Sequence, residues 1–544
     1  MPTDIYDYVV VGAGAAGAIL ASRLSENPSV TVCLLEAGEP DRSPWLHIPA
    51  GFIKVINNPR WTWQFSAEPS EHTQGRRINL PQGRTLGGTT SINGLIYNRG
   101  QAEDYDDWAA AGNPGWSYAE VLPYFRRSEG NLGAVDPRYH GSDGPLAVSP
   151  LQWRHPVCEA FIEGASHSGV PRNHDYNGER QAGVGYFQRT IGKRWRSSTA
   201  RAYLRPARQR ANLVVRTQAQ ACRVLLDRGQ ATGVEYLCKG QRHSVLARRE
   251  VILSSGTLNT PKLLELSGIG APQHLASLGV PLQHALPGVG ENLGDHYSVR
   301  VVAKVKGCAT INEIARGPRL WREVLRWLFN RPSLLAVSPS IVHWFASTDP
   351  AQARPDLQGV FTPASYREGA IGQLDSFPGM TVGVWQHRPN GRGSVHAQSL
   401  DPAQPPRIVG DYLRDSEDRR VLLAGIRQAR ALLRTPALAG FFDGEVLPGD
   451  QAQSDAELLA FASRYGGSAQ HLVGTSKMGP ASDPMAVVDA ELRVHGLRGL
   501  RIADASVIPR TPSANTCAAS MMIGEKAADL ILGKAPLTEH HRHA

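Results

Sequence analysis

Cysteine is scarce in this chain: the six present (Cys33, Cys158, Cys222, Cys238, Cys308 and Cys517) are scattered over 544 residues. They form no Cys-x-x-Cys pair, and no His cluster stands at zinc spacing, so the sequence gives no sign of a disulfide framework or a zinc module. Reduced thiols in a cytoplasmic protein are the simplest reading, and no metal site is expected. Long apolar runs are missing too. No stretch of about 18 apolar residues could span a bilayer, and no secretory leader precedes the first strand-like segment. Internal repeats and low-complexity blocks are absent. Lys and Arg exceed Asp and Glu by 58 to 49, a net charge of +9. These cations are dispersed and accompany no nucleic-acid motif, which favours a basic surface over a nucleic-acid partner. The terminal Glu539-His540-His541-Arg542-His543-Ala544 reads as a disordered tail rather than a metal site.

What is present is an ordinary globular composition, 41% hydrophobic and 20% charged, in a chain long enough for two or more cores. Its most specific local signal begins near the start. Tyr8-Val9-Val10-Val11 runs into Gly12-Ala13-Gly14-Ala15-Ala16-Gly17, then an apolar helical pattern, then Thr31-Val32-Cys33-Leu34-Leu35 and Glu36. Strand, Gly-x-Gly-x-x-Gly, helix, strand and acid in that order bind a dinucleotide. Gly12 makes the turn, Gly14 admits the pyrophosphate and Gly17 packs helix on strand. The helix N-terminus offers free N–H groups to the phosphates. Glu36 is placed to accept the hydroxyls of an adenosine ribose and would repel a 2′-phosphate, so NADP is disfavoured while NAD and FAD stay open.

Two further glycine-bearing segments follow. Gly83-Arg84-Thr85-Leu86-Gly87-Gly88-Thr89-Thr90-Ser91-Ile92-Asn93 suits a backbone that passes close to a flat or phosphorylated ligand, although alone it is also a plain turn. Gly256-Thr257-Leu258-Asn259-Thr260-Pro261, after the strand-like Glu250–Ser254, begins another helix that ends near Gly268. Together they resemble both signatures of the glucose-methanol-choline (GMC) oxidoreductases. The resemblance extends through Gly288–His296, Asn390–Val395 and the C-terminal region, and is weakest over roughly residues 300–385. It implies FAD as the dinucleotide. It assigns cofactor contacts to Gly12, Gly14, Ala15, Ala16, Gly17, Glu36, Ala37, Arg84, Gly87, Gly88, Thr89, Asn93, Gly94, Ala221, Asp504, Ala505, Asn515 and Thr516. Leu500–Ser506, a late strand ending in Asp504, adds support as a place to hold the ribityl and phosphate region with backbone donors.

Oxidising an alcohol needs a base for the hydroxyl proton and an acceptor for the hydride. One of 18 histidines, His471 opens His471-Leu472-Val473-Gly474-Thr475 and resembles the family's catalytic histidine; imidazole chemistry suits a base. Asn515, in Pro512-Ser513-Ala514-Asn515-Thr516, matches the family's second active-site position, where an amide can hold the substrate oxygen. Without the resemblance it would read as a helix N-cap. The helix from Cys517 onward would aim its N-terminal dipole at the flavin. Ile92 stands where some relatives carry a histidine bonded to FAD, so noncovalent FAD is expected.

The fold class implied is α/β: a Rossmann-like FAD-binding domain of discontinuous segments plus an α+β substrate domain with an antiparallel sheet. By motif, residues 1–300 form the N-terminal FAD-binding region, with FAD pieces at about 1–155 and 195–300. Residues 301–469 are mainly substrate-binding, with 156–194 on the same side, and 470–544 complete the FAD domain and active site. Met380–Trp385 alternates as a cavity-lining strand should. Residues 318–331 form a basic amphipathic helix, with Leu320, Val324 and Leu328 beside Trp321 and Leu325. It is read as core-facing; the other reading docks it on an anionic membrane, peripheral at the inner face, near a quinone pool. The expected reaction takes a primary aliphatic or aryl alcohol to an aldehyde or ketone. The pattern is closest to the bacterial choline- and alkyl-alcohol-dehydrogenase-like branch, with a quinone or other carrier as acceptor. An oxidase passing electrons to O2 and a hydroxynitrile lyase are the alternatives. No feature sets the oligomeric state.

Overall fold

The computed structural model describes residues 4–349, 351–352, 354–367 and 372–537. The His-rich tail lies outside the described residues.

Near-continuous apolar runs build the parallel part of the first sheet. Its strand order is Leu213–Arg216, Val32–Leu35, Asp4–Val11, Gln241–Leu253, Gln230–Cys238 and Ala219–Asp227, with Leu500–Ile502 also beside Gln241–Leu253. Val9 is paired in parallel with Val251, which is paired in turn with Leu500, and Val9, Val10, Val32 and Ile252 are fully buried, as a parallel sheet covered on both faces requires. The strand read from sequence as Glu250–Ser254 begins at Gln241. Its first half is an antiparallel ladder with Gln230–Cys238 and carries Arg242, Arg248 and Arg249, so it lacks the apolar run of its end.

The second sheet is antiparallel along its main path: Phe442–Leu447, Tyr297–Val305, Gly379–Gln386, Leu357–Thr362, Val342–Ala346 and Gly183–Tyr186, with Gly467–Ser468 paired to the start of Tyr297–Val305. The helix Ser416–Leu433 packs on it, and Gly425 permits the approach: a Cβ there would lie 2.6 Å from Leu357 Cδ1. Each sheet has its own apolar core, built around Val10 and Ile252 in one case and Val301 and Val382 in the other. Chain order does not respect this division. The hairpin Thr62–Ala67 and Ile78–Gly83 sends Phe65 and Leu80 into the second core, and Gly183–Tyr186 joins the second sheet.

The C-terminal helix Cys517–Ile531 is keyed to the first helix, Ala15–Leu24. A Cβ on Gly524 would meet Ala16 Cα at 2.8 Å. The buried Glu525 accepts from Arg23 Nε at 2.9 Å, Arg127 Nε at 2.7 Å and the Tyr203 hydroxyl at 2.7 Å.

One expectation is corrected. The helix Gly317–Leu328 does not turn its apolar stripe to the core: Trp321 is 71% exposed, Leu325 53% and Leu328 50%, and the following Phe329 74%. Glu323 and Trp327 are buried instead. Trp327 packs edge-on against Trp195 and donates from Nε1 to the Arg194 carbonyl at 3.1 Å. Glu323 accepts the Leu334 N–H at 2.8 Å, satisfying the start of the next turn. Hydrogen bonding of this buried carboxylate, which periodicity does not register, decides which face docks.

Candidate active site

A continuous cavity of about 880 Å3 runs between the two sheets. At one end the glycine fingerprint forms its wall. Gly12 (φ +100°) has no room for a side chain, since a Cβ would lie 2.4 Å from the Ser254 carbonyl oxygen, whereas a Cβ on Gly14 would find nothing nearer than 4.0 Å. Gly88 presses on Gly14: its Cβ position is 2.7 Å from Gly14 Cα, and Gly87 N–H donates to the Ala13 carbonyl at 2.8 Å. The two glycine segments thus form one floor. The helix Ala15–Leu24 starts there with no side-chain cap and no acid in its first turn, leaving N–H groups for an anion. Glu36 accepts from Ala13 N at 2.9 Å and Gly38 N at 2.8 Å, and burial pushes its carboxyl up to about 7. Asp504 accepts from Gly256 N and the Thr260 hydroxyl, at 2.9 and 2.7 Å. Uncapped helix start, backbone-lined floor and terminal acid fit an adenine dinucleotide.

At the other end His471 is held from three sides. Its backbone N–H donates to Asp295 Oδ1 at 2.8 Å, and Asp295 Oδ2 accepts from the Tyr412 and Ser468 hydroxyls. Gln470, just before it, sits at φ +64°, a left-handed conformation that costs a non-glycine residue free energy and is typical of functional sites. His471 Nδ1 lies 2.8 Å from His296 Nδ1, and His296 Nε2 lies 2.7 Å from the His387 carbonyl oxygen. A carbonyl only accepts, so His296 carries its proton on Nε2. Burial drives His296 down to about 4, so it is neutral near pH 7 and its Nδ1 is an acceptor. His471 must therefore donate from Nδ1. Burial, with His296 beside it, holds His471 well below the ordinary histidine range, leaving Nε2 as a bare lone pair turned to Asn515. Asn515 Nδ2 donates to that nitrogen at 2.8 Å, and Asn515 Oδ1 accepts from Gln358 Nε2 at 3.2 Å, which fixes the amide's orientation. A base with its lone pair exposed, beside an oriented amide donor, can take a proton from a hydroxyl and hold the oxygen.

The chain is similar to known proteins over almost its whole length. The sequence models of GMC oxidoreductase match residues 6–298 (N-terminal part) and 389–524 (C-terminal part). The chain belongs to the GMC oxidoreductase family. It is 38% identical over 542 residues to an alcohol dehydrogenase [acceptor] of Pseudomonas putida, covering 98% of this chain and 97% of that one. It is 39% identical over 543 residues, with the same coverage, to an oxygen-dependent choline dehydrogenase of Sinorhizobium fredii. Among solved structures it resembles pyridoxine 4-oxidase from Mesorbium loti, with TM-score 0.87 and 29% identity over 97% of this chain and 98% of that one. As a GMC oxidoreductase the chain is an FAD-dependent enzyme of alcohol oxidation. These dehydrogenase and oxidase relatives give the lyase alternative no support.

Of the sequence-assigned residues, Gly12, Gly14, Ala15, Ala16, Glu36 and Ala37 line the cradle end of the cavity together with Gly88, Thr89, Asn93, Gly94 and Ala221. Asp504, Ala505, His471, Asn515 and Thr516 also line it. Gly17, Gly87 and Arg84 do not. Gly17 is pressed against the strand turn, where a Cβ would lie 1.9 Å from the Gly12 carbonyl oxygen. Gly87 makes the turn at φ +85°, and Arg84 stacks its guanidinium 4.4 Å over the Trp63 ring. Asn515 is not the N-cap of Cys517–Ile531; Thr516 is, without a side-chain cap bond, so this helix also opens uncapped at the cavity. Sequence reasoning missed His296 as the partner of the base, Gln358 as the anchor of Asn515, and the cavity-lining Ser255 and Asn259. Of these, Asn259 lay in the third glycine-bearing segment and His296 closed the Gly288–His296 stretch of resemblance, while Gln358 had no local signal.

Proposed function

We propose that the chain is a dehydrogenase for alcohols in which His471 is the base and Asn515 holds the substrate oxygen. The tautomer chain from the His387 carbonyl through His296 carries this reading, because it leaves His471 Nε2 unprotonated where the substrate would lie. Bound FAD supplies the hydride acceptor. The hydroxyl donates to His471 Nε2 and accepts from Asn515 Nδ2, entering between two groups now 2.8 Å apart. Loss of the proton to Nε2 gives an imidazolium whose Nδ1–H still donates to His296, and Gln358 keeps the amide turned toward the oxygen. Ile92, 1% exposed among Leu46, Val55 and Trp61, offers no atom for a bond to the cofactor, supporting noncovalent FAD. His471→Ala tests the assignment. The expected variant binds FAD, releases it on acid precipitation like the parent, and is reduced anaerobically by alcohol at least about 100-fold more slowly. Reduction at the parental rate would refute the role of His471.

We also propose that the exposed side of Gly317–Leu328 rests on an anionic membrane, where a quinone can serve as acceptor. Trp321, Leu325, Leu328 and Phe329 face outward, and Arg319, Arg322, Arg326 and Arg331 are exposed around them, while the helix's one acid, Glu323, is buried. An apolar stripe flanked by cations complements anionic headgroups. The acceptor relation in the name of the Pseudomonas putida relative supports a carrier other than NAD.

A further inference from the structure

The wall facing the base is built from alternate residues of neighbouring strands: Ser298 and Arg300 on one, Thr381, Gly383 and Trp385 on the next. Arg300 stands opposite Gly383, which has no side chain to cover it, and two residues along that strand the Trp385 ring lies 5.7 Å from His471. The guanidinium therefore springs from the same wall as the base's neighbour, one same-face step or roughly 7 Å along the strand from the position opposite Trp385. Arg300 is accessible yet deep within the protein, so what it exposes is cavity wall rather than outer surface. Among the described residues its one charge or ring partner is the Tyr366 ring, with Cζ 5.4 Å from the centroid, and it makes no hydrogen bond or ion pair to any of them.

Most other charges lining the cavity are committed. Arg76 donates to the Ser463 and Gly466 carbonyls and to Tyr297, Arg77 is paired with Glu68, and Lys262 donates to the Pro402 carbonyl. Like Arg300, Arg464 has only a ring partner among the described residues, Tyr465, but it does not lie on the strand wall beside Trp385. Among the described residues, the acids lining the cavity are Glu36 and Asp504, both in the cradle and both accepting backbone N–H groups. Among the described residues, the Arg300 guanidinium in the substrate half thus has no counter-ion. Withdrawing such a charge from bulk water is costly, and a carboxylate matches its planar fork with two charge-assisted hydrogen bonds. A quaternary ammonium would meet like charge at the same place. Arg300 also lies in residues 299–388, the stretch between the two family matches.

Building on the alcohol-oxidation reading, we propose that the substrate is an alcohol bearing a carboxylate, which Arg300 binds while the hydroxyl lies between His471 and Asn515. The test is anaerobic reduction of the FAD-loaded enzyme by 4-(hydroxymethyl)benzoate, 4-methylbenzyl alcohol and choline, with flavin content read from absorbance. The parent is expected to prefer the carboxylate over the neutral alcohol by about 10-fold or more in reduction efficiency. Arg300→Gln should bring that ratio close to one, Arg300→Lys should keep part of it, and Arg300→Glu should favour choline over the carboxylate. Reduction by the neutral alcohol with no carboxylate preference in the parent, or a preference that survives in a flavin-loaded Arg300→Gln, overturns the assignment of Arg300 alone. Reduction by none of these, nor by a wider panel of alcohols, overturns the alcohol-oxidation reading with it.

Discussion

A histidine serves as a base only if the nitrogen that faces the substrate lacks its proton, and here that condition is set one ring away. The His387 carbonyl fixes the proton of His296 on Nε2, and His296 Nδ1 then fixes the proton of His471 on Nδ1. Both rings are depressed by burial, so the base is unprotonated across neutral pH and flavin reduction should be flat from about pH 6.5 upward, with its acid limb lying lower. His296→Leu removes the acceptor and frees His471 to take the other tautomer. The expected variant keeps its FAD and is reduced about 100-fold more slowly, with its acid limb still below the ordinary histidine range because burial, the larger depressing cause, remains. His296→Gln, which can still accept from Nδ1–H, should recover much of the rate. A parental reduction rate in the Leu variant, or no advantage for Gln, would reduce His296 to packing.

Among the secondary-structure elements, Gly317–Leu328 shows how far periodicity carries. The 3.6-residue pattern places the helix well but not the face that docks, because the anchors are Glu323, through one backbone N–H, and Trp327, through the Arg194 carbonyl. The outward Trp321, Leu325 and Phe329 should hold the protein on phosphatidylglycerol vesicles at low salt and not on phosphatidylcholine, with release as salt screens the arginines. Replacing these three with serine, at positions that touch little, should lower vesicle co-sedimentation about 10-fold while leaving alcohol-driven flavin reduction in solution intact. Equal sedimentation of parent and variant would exclude this helix as the anchor. The same limit governed the rest of the reading. Gly12 to Glu36 was legible because one strand, turn, helix and strand carry the whole cradle motif within a short stretch. His471 and Asn515 were reached only through family resemblance, and His296 not at all, since its role rests on a carbonyl 91 residues away. Arg300 stayed silent because lacking a counter-ion among the described residues is a property of the folded cavity, not of a sequence window.

For the molecule as a whole, the issue is how segments hundreds of residues apart are locked into one cradle. Part of the answer is an ionic cluster around the buried Glu265 that sequence spacing does not announce. Glu265, on the helix Asn259–Leu266, accepts from His396 Nδ1 at 2.7 Å and from Ala397 N at 2.6 Å, and His396 Nε2 lies 3.1 Å from Glu291. With His274 nearby, Glu265 and His396 bring a helix of the first sheet's layer against the strand Ser394–His396, and the ligand atoms of the three lie within 4.8 Å of one another. Two carboxylates raise His396 to about 9, so it is protonated at pH 7 and the cluster is better read as an imidazolium between two acids than as a metal site. A histidine raised in the folded state stabilises fully below its unfolded value near 6.5 and loses that contribution as pH climbs through 9. The parent should therefore lose more unfolding free energy between pH 6.5 and 9.5 than His396→Gln does, by up to about 3 kcal/mol in denaturant titrations. At pH 6.5 the variant should be the less stable of the two, because it leaves Glu265 buried without its cation. If the gap between parent and variant is the same at both pH values, the charge on His396 does not help join these segments, and their union rests on apolar packing alone.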